Sequence, residues 1–436
     1  MGDWLSHYFS TIHWFAFVSI PVFTAVIGWL INWSGLWMLF SPVHFHGFRV
    51  PGLANLSRVL PRKAQEVPGI SSGGIGWQGI VPMRAAKMGS IAVDKAISKL
   101  GTPAEFYQQL EPAKLAEHII AVFRPEIPNV VEEVMLREHP RLWRDLPPWS
   151  RKLLIERVQG QLPSVVRDVT DQIGEHIDQL LDPKLMVIEQ FRDDPSLVVK
   201  IFRDFGQREL NLMVVFGAVF GFLLGIPVAL IDHAVNQWWL LPVLGVVVGW
   251  TTNLLGMWLI FDPAEPRKVG PFTVHGLFPR RQDEAAEVYA QLIADEVITM
   301  ENIGDFLLDG PRGDRTRQLL ATALMPAIDK AVGPARAAVR VAVGQRRFDS
   351  IRQSMTEEAV TRTMAPFRDK DFSRQQSERI RQLISTRTKE LPPRDFVEMM
   401  RAAIKEDEWM LYAHGAIMGF VGGLLHLLIF GVGGSG

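Results

Sequence analysis

Few side chains in this 436-residue sequence could carry chemistry, and their spacing argues against most catalytic uses. Cysteine is absent, which excludes thiolate catalysis, disulfides, Cys-ligated zinc and iron–sulfur clusters. His414 and His426 stand in an apolar run near the C-terminus, where two imidazoles could pass a proton. With no carboxylate beside them, hydrogen bonding between helices is the better reading. His44 and His46 alternate about Phe45 and could both face a metal from a strand, but no acidic cluster completes a site, so no metal is expected. Gly69–Gly76 is glycine-rich but lacks the Lys-Ser/Thr that completes a P-loop, and it reads as a flexible insert. Glu132–Glu133 and Glu357–Glu358 fall in charged helical stretches and read as solvated faces. No nucleophile elbow, Walker loop, dinucleotide fingerprint or zincin motif occurs. No catalytic residue and no cofactor are expected, and the chain reads as a non-enzyme.

The remaining polar residues of interest are two asparagines inside apolar runs, and they sit in a sentence written twice. Gly28-Trp29-Leu30-Ile31-Asn32-Trp33-Ser34-Gly35-Leu36-Trp37-Met38-Leu39-Phe40-Ser41-Pro42 recurs as Gly249-Trp250-Thr251-Thr252-Asn253-Leu254-Leu255-Gly256-Met257-Trp258-Leu259-Ile260-Phe261-Asp262-Pro263. On a helix Gly28, Asn32 and Gly35 share one face, as do Gly249, Asn253 and Gly256. Small residues let another backbone approach, and an unpaired amide in hydrocarbon is costly, so this face is expected to pack on a neighbouring helix. The competing reading is a shared Asn32/Asn253 site for a ligand or ion. A second pair, Gly217, Gly221, Gly225 and Gly415, Gly419, Gly423, spells GxxxGxxxG twice and predicts close helix contact.

These residues need spans to position them. Four apolar stretches, about Trp14–Phe40, Asn211–Ile231, Trp238–Phe261 and Met410–Phe430, lack Asp, Glu, Lys and Arg and are long enough to cross a bilayer. Trp14, Trp37, Trp238, Trp239, Trp258 and Trp409 fall at or near span ends and read as membrane-interface residues. All 46 Lys and Arg lie within 49–208 and 267–405, so the positive-inside rule puts both large segments in the cytoplasm and both termini outside. The expected division is residues 1–40, tail and first span; 41–210, a cytoplasmic helical domain with a loop insert at about 53–78; 211–261, a hairpin of two spans with a short outer loop at 232–237; 262–409, a second cytoplasmic helical domain; and 410–436, last span and tail. Both units cross the membrane in the same direction, so the internal repeat is parallel.

The large segments read as helical. Val165, Val169, Ile173, Ile177 and Leu180 recur at steps of three and four, and Ile351, Met355, Val360, Met364 and Phe367 trace a similar stripe. Short hairpins are expected at Phe45–Pro51 and Val269–Val274, and Val67–Gly79 reads as a surface loop. The expected fold class is all-α: a polytopic membrane protein with four transmembrane helices and two cytoplasmic helical domains.

The span motif, the Gly76-Trp77-Gln78-Gly79-Ile80-Val81-Pro82 phrase with Arg84, Pro279-Arg280-Arg281-Gln282-Asp283-Glu284, and the glycine-rich exit spans together resemble the domain of unknown function 445 family. Unit one carries Met83-Arg84 where members often carry two basic residues. The resemblance covers nearly the whole chain. It implies a bacterial inner-membrane protein and brings no activity, substrate or catalytic residue. The leading expectation is a membrane-anchored scaffold or tether, with membrane lipids, a protein partner or self-association, and no nucleic acid as partner. The alternative is lipid or amphiphile binding or transport along amphipathic helices. A small-solute channel or transporter ranks third, because the spans offer little polar lining.

Overall fold

In a computed structural model, residues 12–49, 74–94, 101–235, 237–333 and 344–430 are described. The chain begins with α1 (Ile12–Phe40), which holds Pro21, and passes through β1 (His46–Arg49) and β2 (Gly74–Trp77). After the short α2 (Ile80–Met83) and α3 (Ala85–Ala92) come α4 (Pro103–Gln109), α5 (Pro112–Glu138), α6 (Pro140–Asp145), α7 (Pro148–Leu180) and α8 (Pro183–Asp193). Proline opens each of α4 to α8, where its missing N–H costs nothing. Caps fix several starts: Thr102 and Glu105 form a capping box on α4, and the Asp182 carboxylate accepts from the Lys184 and Leu185 N–H groups at α8.

The second half of the chain is again mostly helix. α9 (Pro195–Val235) is one unbroken helix of 41 residues, roughly 60 Å long at 1.5 Å per residue, so an amphipathic segment runs straight into an apolar span. Then come α10 (Leu240–Phe261), β3 (Arg267–Val269), β4 (Phe272–Val274), α11 (Leu277–Arg280), α12 (Gln282–Leu292) and a π turn at Ile293–Val297. α13 (Met300–Asp309), α14 (Gly313–Val332), α15 (Gln345–Arg362), a 3₁₀ turn (Ala365–Arg368), α16 (Lys370–Glu390), α17 (Pro393–Lys405) and α18 (Glu408–Phe430) complete the described chain. The described residues are thus all-α apart from two small ribbons, and four helices are long and apolar enough to cross a membrane: α1, α9, α10 and α18.

Contacts divide the chain into two compact units. The first takes residues 1–96, 188–288 and 388–436; the second takes 97–187 and 289–387. This differs from one helical domain per large segment, as the sequence suggests. In the second unit α7 packs on both α5 and α14, and α5 packs on α15. One cluster joins Ile127, Val131, Met135 and Trp143 to Ile351 and Met355; another joins Leu308, Leu320 and Met364 to Val169 and Val360. Neither segment closes its apolar stripes on itself, so each stripe completes its burial on helices of the other segment.

The ribbons correct a second expectation. β3 and β4 form a local antiparallel hairpin, Arg267 facing Val274. β1 finds its partner far along the chain: His46 pairs with Trp77 and Arg49 with Gly74. Gly74–Trp77 is therefore strand where a surface loop is expected, while residues 53–73 of the expected insert lie outside the described residues.

Candidate functional site

Two regions hold the candidate residues: the seams between spans in the first unit, and an apolar cavity in the second. The seams follow from glycine spacing. α1 lies along α9, and α10 along α18. A Cβ on Gly28 would overlap the Gly217 carbonyl, one on Gly221 the Thr24 carbonyl, and one on Gly225 would fall on Pro21 and Thr24. In the other pair a Cβ on Gly249 would overlap the Gly415 carbonyl, one on Gly419 the Gly245 carbonyl, and one on Gly423 would fall on Leu241 and Pro242. These helices meet backbone to backbone, which no larger residue allows.

The asparagines join the same seams. Asn32 Nδ2 donates to the Met213 carbonyl and Asn253 Nδ2 to the Leu411 carbonyl, each at 2.5 Å and each fully buried. Each donated bond thus goes to the exit span of the residue's own half. Gly35 and Gly256 leave the seam: Gly35 faces Leu411 and His414, and Gly256 faces Met213, all at ordinary contact distance. Both histidines lie against α1. His414 Nε2 is 3.3 Å from the Ser34 hydroxyl, and His426 Nε2 is 3.3 Å from Ser19, with its ring edge-on to Phe23. Trp37, Trp238, Trp239 and Trp258 are exposed, Trp409 is half-buried, and the Trp14 side chain lies outside the described residues. His46 Nδ1 lies 3.2 Å from the His44 carbonyl, and no group of three His, Asp or Glu among the described residues could hold a metal.

Sequence reasoning missed a reciprocal pair of ion bridges. Arg84 contacts Asp407 at 3.0 Å with side chains 10% and 3% exposed. Arg281 contacts Glu209, whose side chain is also buried, and forks onto Glu284 at 2.8 Å. The Glu284 carboxylate, with Glu209 behind it, raises the Arg281 guanidinium above its ordinary value. Each arginine thus reaches an acid from the other half of the sequence. The signal was available, since Glu209 and Asp407 each shortly precede an apolar run and lie 198 residues apart, the same offset as Gly217 and Gly415. The loops that deliver the arginines are matched too. Each leaves its span through a cis proline, Pro42 or Pro263, and returns so that Gly79 N–H donates to the Pro42 carbonyl and Gly276 N–H to the Pro263 carbonyl, both at 2.9 Å. A Cβ on Gly79 or Gly276 would press on the backbone at the end of that span.

The second unit holds a partly open apolar cavity of about 180 Å³. Phe106 and Tyr107 of α4, Val165, Val169 and Ile173 of α7, Leu307 of α13, Leu324 of α14 and Ile380 of α16 are among its walls. Its few polar side chains mostly satisfy one another or their own helices: Tyr107 donates to the Thr170 carbonyl at 2.7 Å, and the Thr170 hydroxyl donates to the Val166 carbonyl. Burial, with Asp171 nearby, raises the Tyr107 phenol, so it stays a donor. The Thr316 hydroxyl, buried in the wall, finds no partner among the described residues. For scale, an apolar cavity of ~150 Å³ stays dry and accepts a benzene ring.

Four apolar helices packed through glycine seams define a helical integral membrane protein class. The comparisons agree with that class. Over 69 residues the chain is 38% identical to a UPF0754 membrane protein of Bacillus cytotoxicus, covering 15% of this chain and 18% of that protein. Similar partial matches join it to UPF0754 membrane proteins of Bacillus mycoides, 38% over 64 residues (14% of this chain, 17% of that protein), and Shouchella clausii, 39% over 69 residues (15% and 18%). The chain thus spans under a fifth of the length of these curated relatives. No family model and no solved structure matches it. The relatives carry the UPF0754 name, and the likeness to the domain of unknown function 445 family rests on the motifs alone.

Proposed function

We propose that this integral membrane protein holds the apolar part of an amphiphile in its helical body, on the cytoplasmic side to which the Lys and Arg distribution assigns the large segments. One observation carries the reading: the helical body holds a partly open apolar pocket of about 180 Å³. A body built only to display surfaces gains from closing such a space, because unfilled volume costs stability. The pocket has room for a ring or a segment of chain. This places amphiphile binding ahead of the scaffold.

The test needs the full chain, since residues of both 97–187 and 289–387 line the cavity. Native mass spectrometry of the purified protein should detect an apolar molecule at near-stoichiometric amount. Val169→Phe, which fills the space from α7, should remove that molecule while the protein keeps its melting temperature in detergent. A ligand-free wild type, stabilised by Val169→Phe, would mark the void as a packing defect and return the reading to the scaffold or tether.

A further inference from the structure

A cleft in the first unit has a charge arrangement that neither the span seams nor the cavity uses. α10 ends at Phe261, and the chain turns through Asp262 and Pro263 towards the β3–β4 ribbon; α17 forms the other wall. Between them lies an open cleft of about 1050 Å³. Trp258, in the last turn of α10, lines it and is 45% exposed, as suits an indole at headgroup level. The cleft therefore opens where a span meets the membrane surface.

Its carboxylates are all engaged. Asp262 accepts from Arg401 at 3.0 Å, while Arg401 forks onto Glu408 at 2.6 and 2.9 Å. Glu265 pairs with Arg394 at 3.1 Å, Glu406 takes Lys87, and Glu398 also has a partner. Two cations are not engaged. Arg267 and Lys405 line the cleft, are exposed, and make no ion pair among the described residues. Acids and cations balance in number along the lining, but Arg267 and Lys405 stand outside its ion pairs, and no free carboxylate is left to receive an ammonium group.

We infer that this cleft binds the phosphate of an anionic phospholipid headgroup, whose oxygens accept from the Arg267 guanidinium and the Lys405 ammonium beside Trp258. A zwitterionic headgroup fits worse, because its ammonium finds every lining carboxylate taken. The inference does not rest on the cavity of the helical body.

The test is a titration of the full chain in dodecyl maltoside with phosphatidylglycerol or phosphatidylcholine, read by native mass spectrometry. Wild type should take up phosphatidylglycerol the more tightly. Arg267→Gln with Lys405→Gln should weaken that uptake about tenfold or more and leave phosphatidylcholine unchanged. Salt should weaken phosphatidylglycerol uptake by wild type and barely affect the double variant. Val169→Phe should bind phosphatidylglycerol as wild type does, so failure of the cavity proposal and failure of this one are separable. Three results would overturn it: unchanged affinity in the double variant, equal binding of the two lipids, or displacement of the lipid by inorganic phosphate at equal concentration, which would assign the cleft to the free anion.

Discussion

The span bundle and the helical body are built from the same helical material and treat space in opposite ways. In the bundle, glycines remove side chains until backbones touch, and each buried asparagine reaches a carbonyl across the seam. In the body, long apolar side chains from many helices converge and leave a void among them. The difference follows from solvent. Between spans there is no hydrophobic force to press helices together, so close packing and hydrogen bonds must hold them. In water apolar burial is favourable by itself, so a body with a solvated surface can fold around unfilled space and still be stable.

The comparison breaks most sharply if enlargement has the same effect in both regions. Gly28→Leu or Gly249→Leu should disrupt a backbone contact at a cost of about 3 kcal/mol or more, measured as loss of the folded fraction in a denaturing-detergent titration. Val169→Phe, an enlargement in the body, should leave the midpoint unchanged.

The ion bridges test how the bundle is closed at its polar end. Arg281→Ala strands the Glu209 carboxylate and should cost roughly 3 kcal/mol; replacing both by leucine should recover much of that. Arg84→Ala should behave alike through Asp407. A mild loss in every variant would mean that water reaches the bridges.

Smaller again is Asn32→Ala, at about 1 kcal/mol, and Asn253→Ala should match it. Because each amide bonds within its own half, the two losses should add; strong non-additivity would reveal a shared site.

The smallest expected effect belongs to the body. Arg362, and less strongly Arg137, hold the Glu358 carboxyl below its ordinary value of 4.5. A depressed folded value contributes stability above the unfolded value and loses it as pH falls through the folded one. Melting temperature should therefore drop slightly on acidification below about pH 4.5, less so in Glu358→Gln.

Much of the bundle was legible in the sequence and little of the body was. Apolar length, missing charge and duplicated Gly and Asn positions are local properties, and a bilayer translates them directly into spans. Even there, Gly35 and Gly256 could not be separated from Gly28 and Gly249, because a helical wheel does not say which neighbour lies opposite. The Gly74–Trp77 strand hid in a glycine-rich stretch because its partner is 28 residues back, at His46–Arg49.

The sequence by itself determined that four helices must leave water, that each of the four carries a glycine face, and that no thiol chemistry is available. Only the tertiary structure decided that the two large segments share one body, that Arg84 and Arg281 each reach an acid from the other half, and that the converging stripes leave a cavity. The reason is physical. A hydrophobic stripe specifies that a face must be buried, but which face covers it, and whether the two fit without a gap, depends on shapes that exist only once every helix is in place.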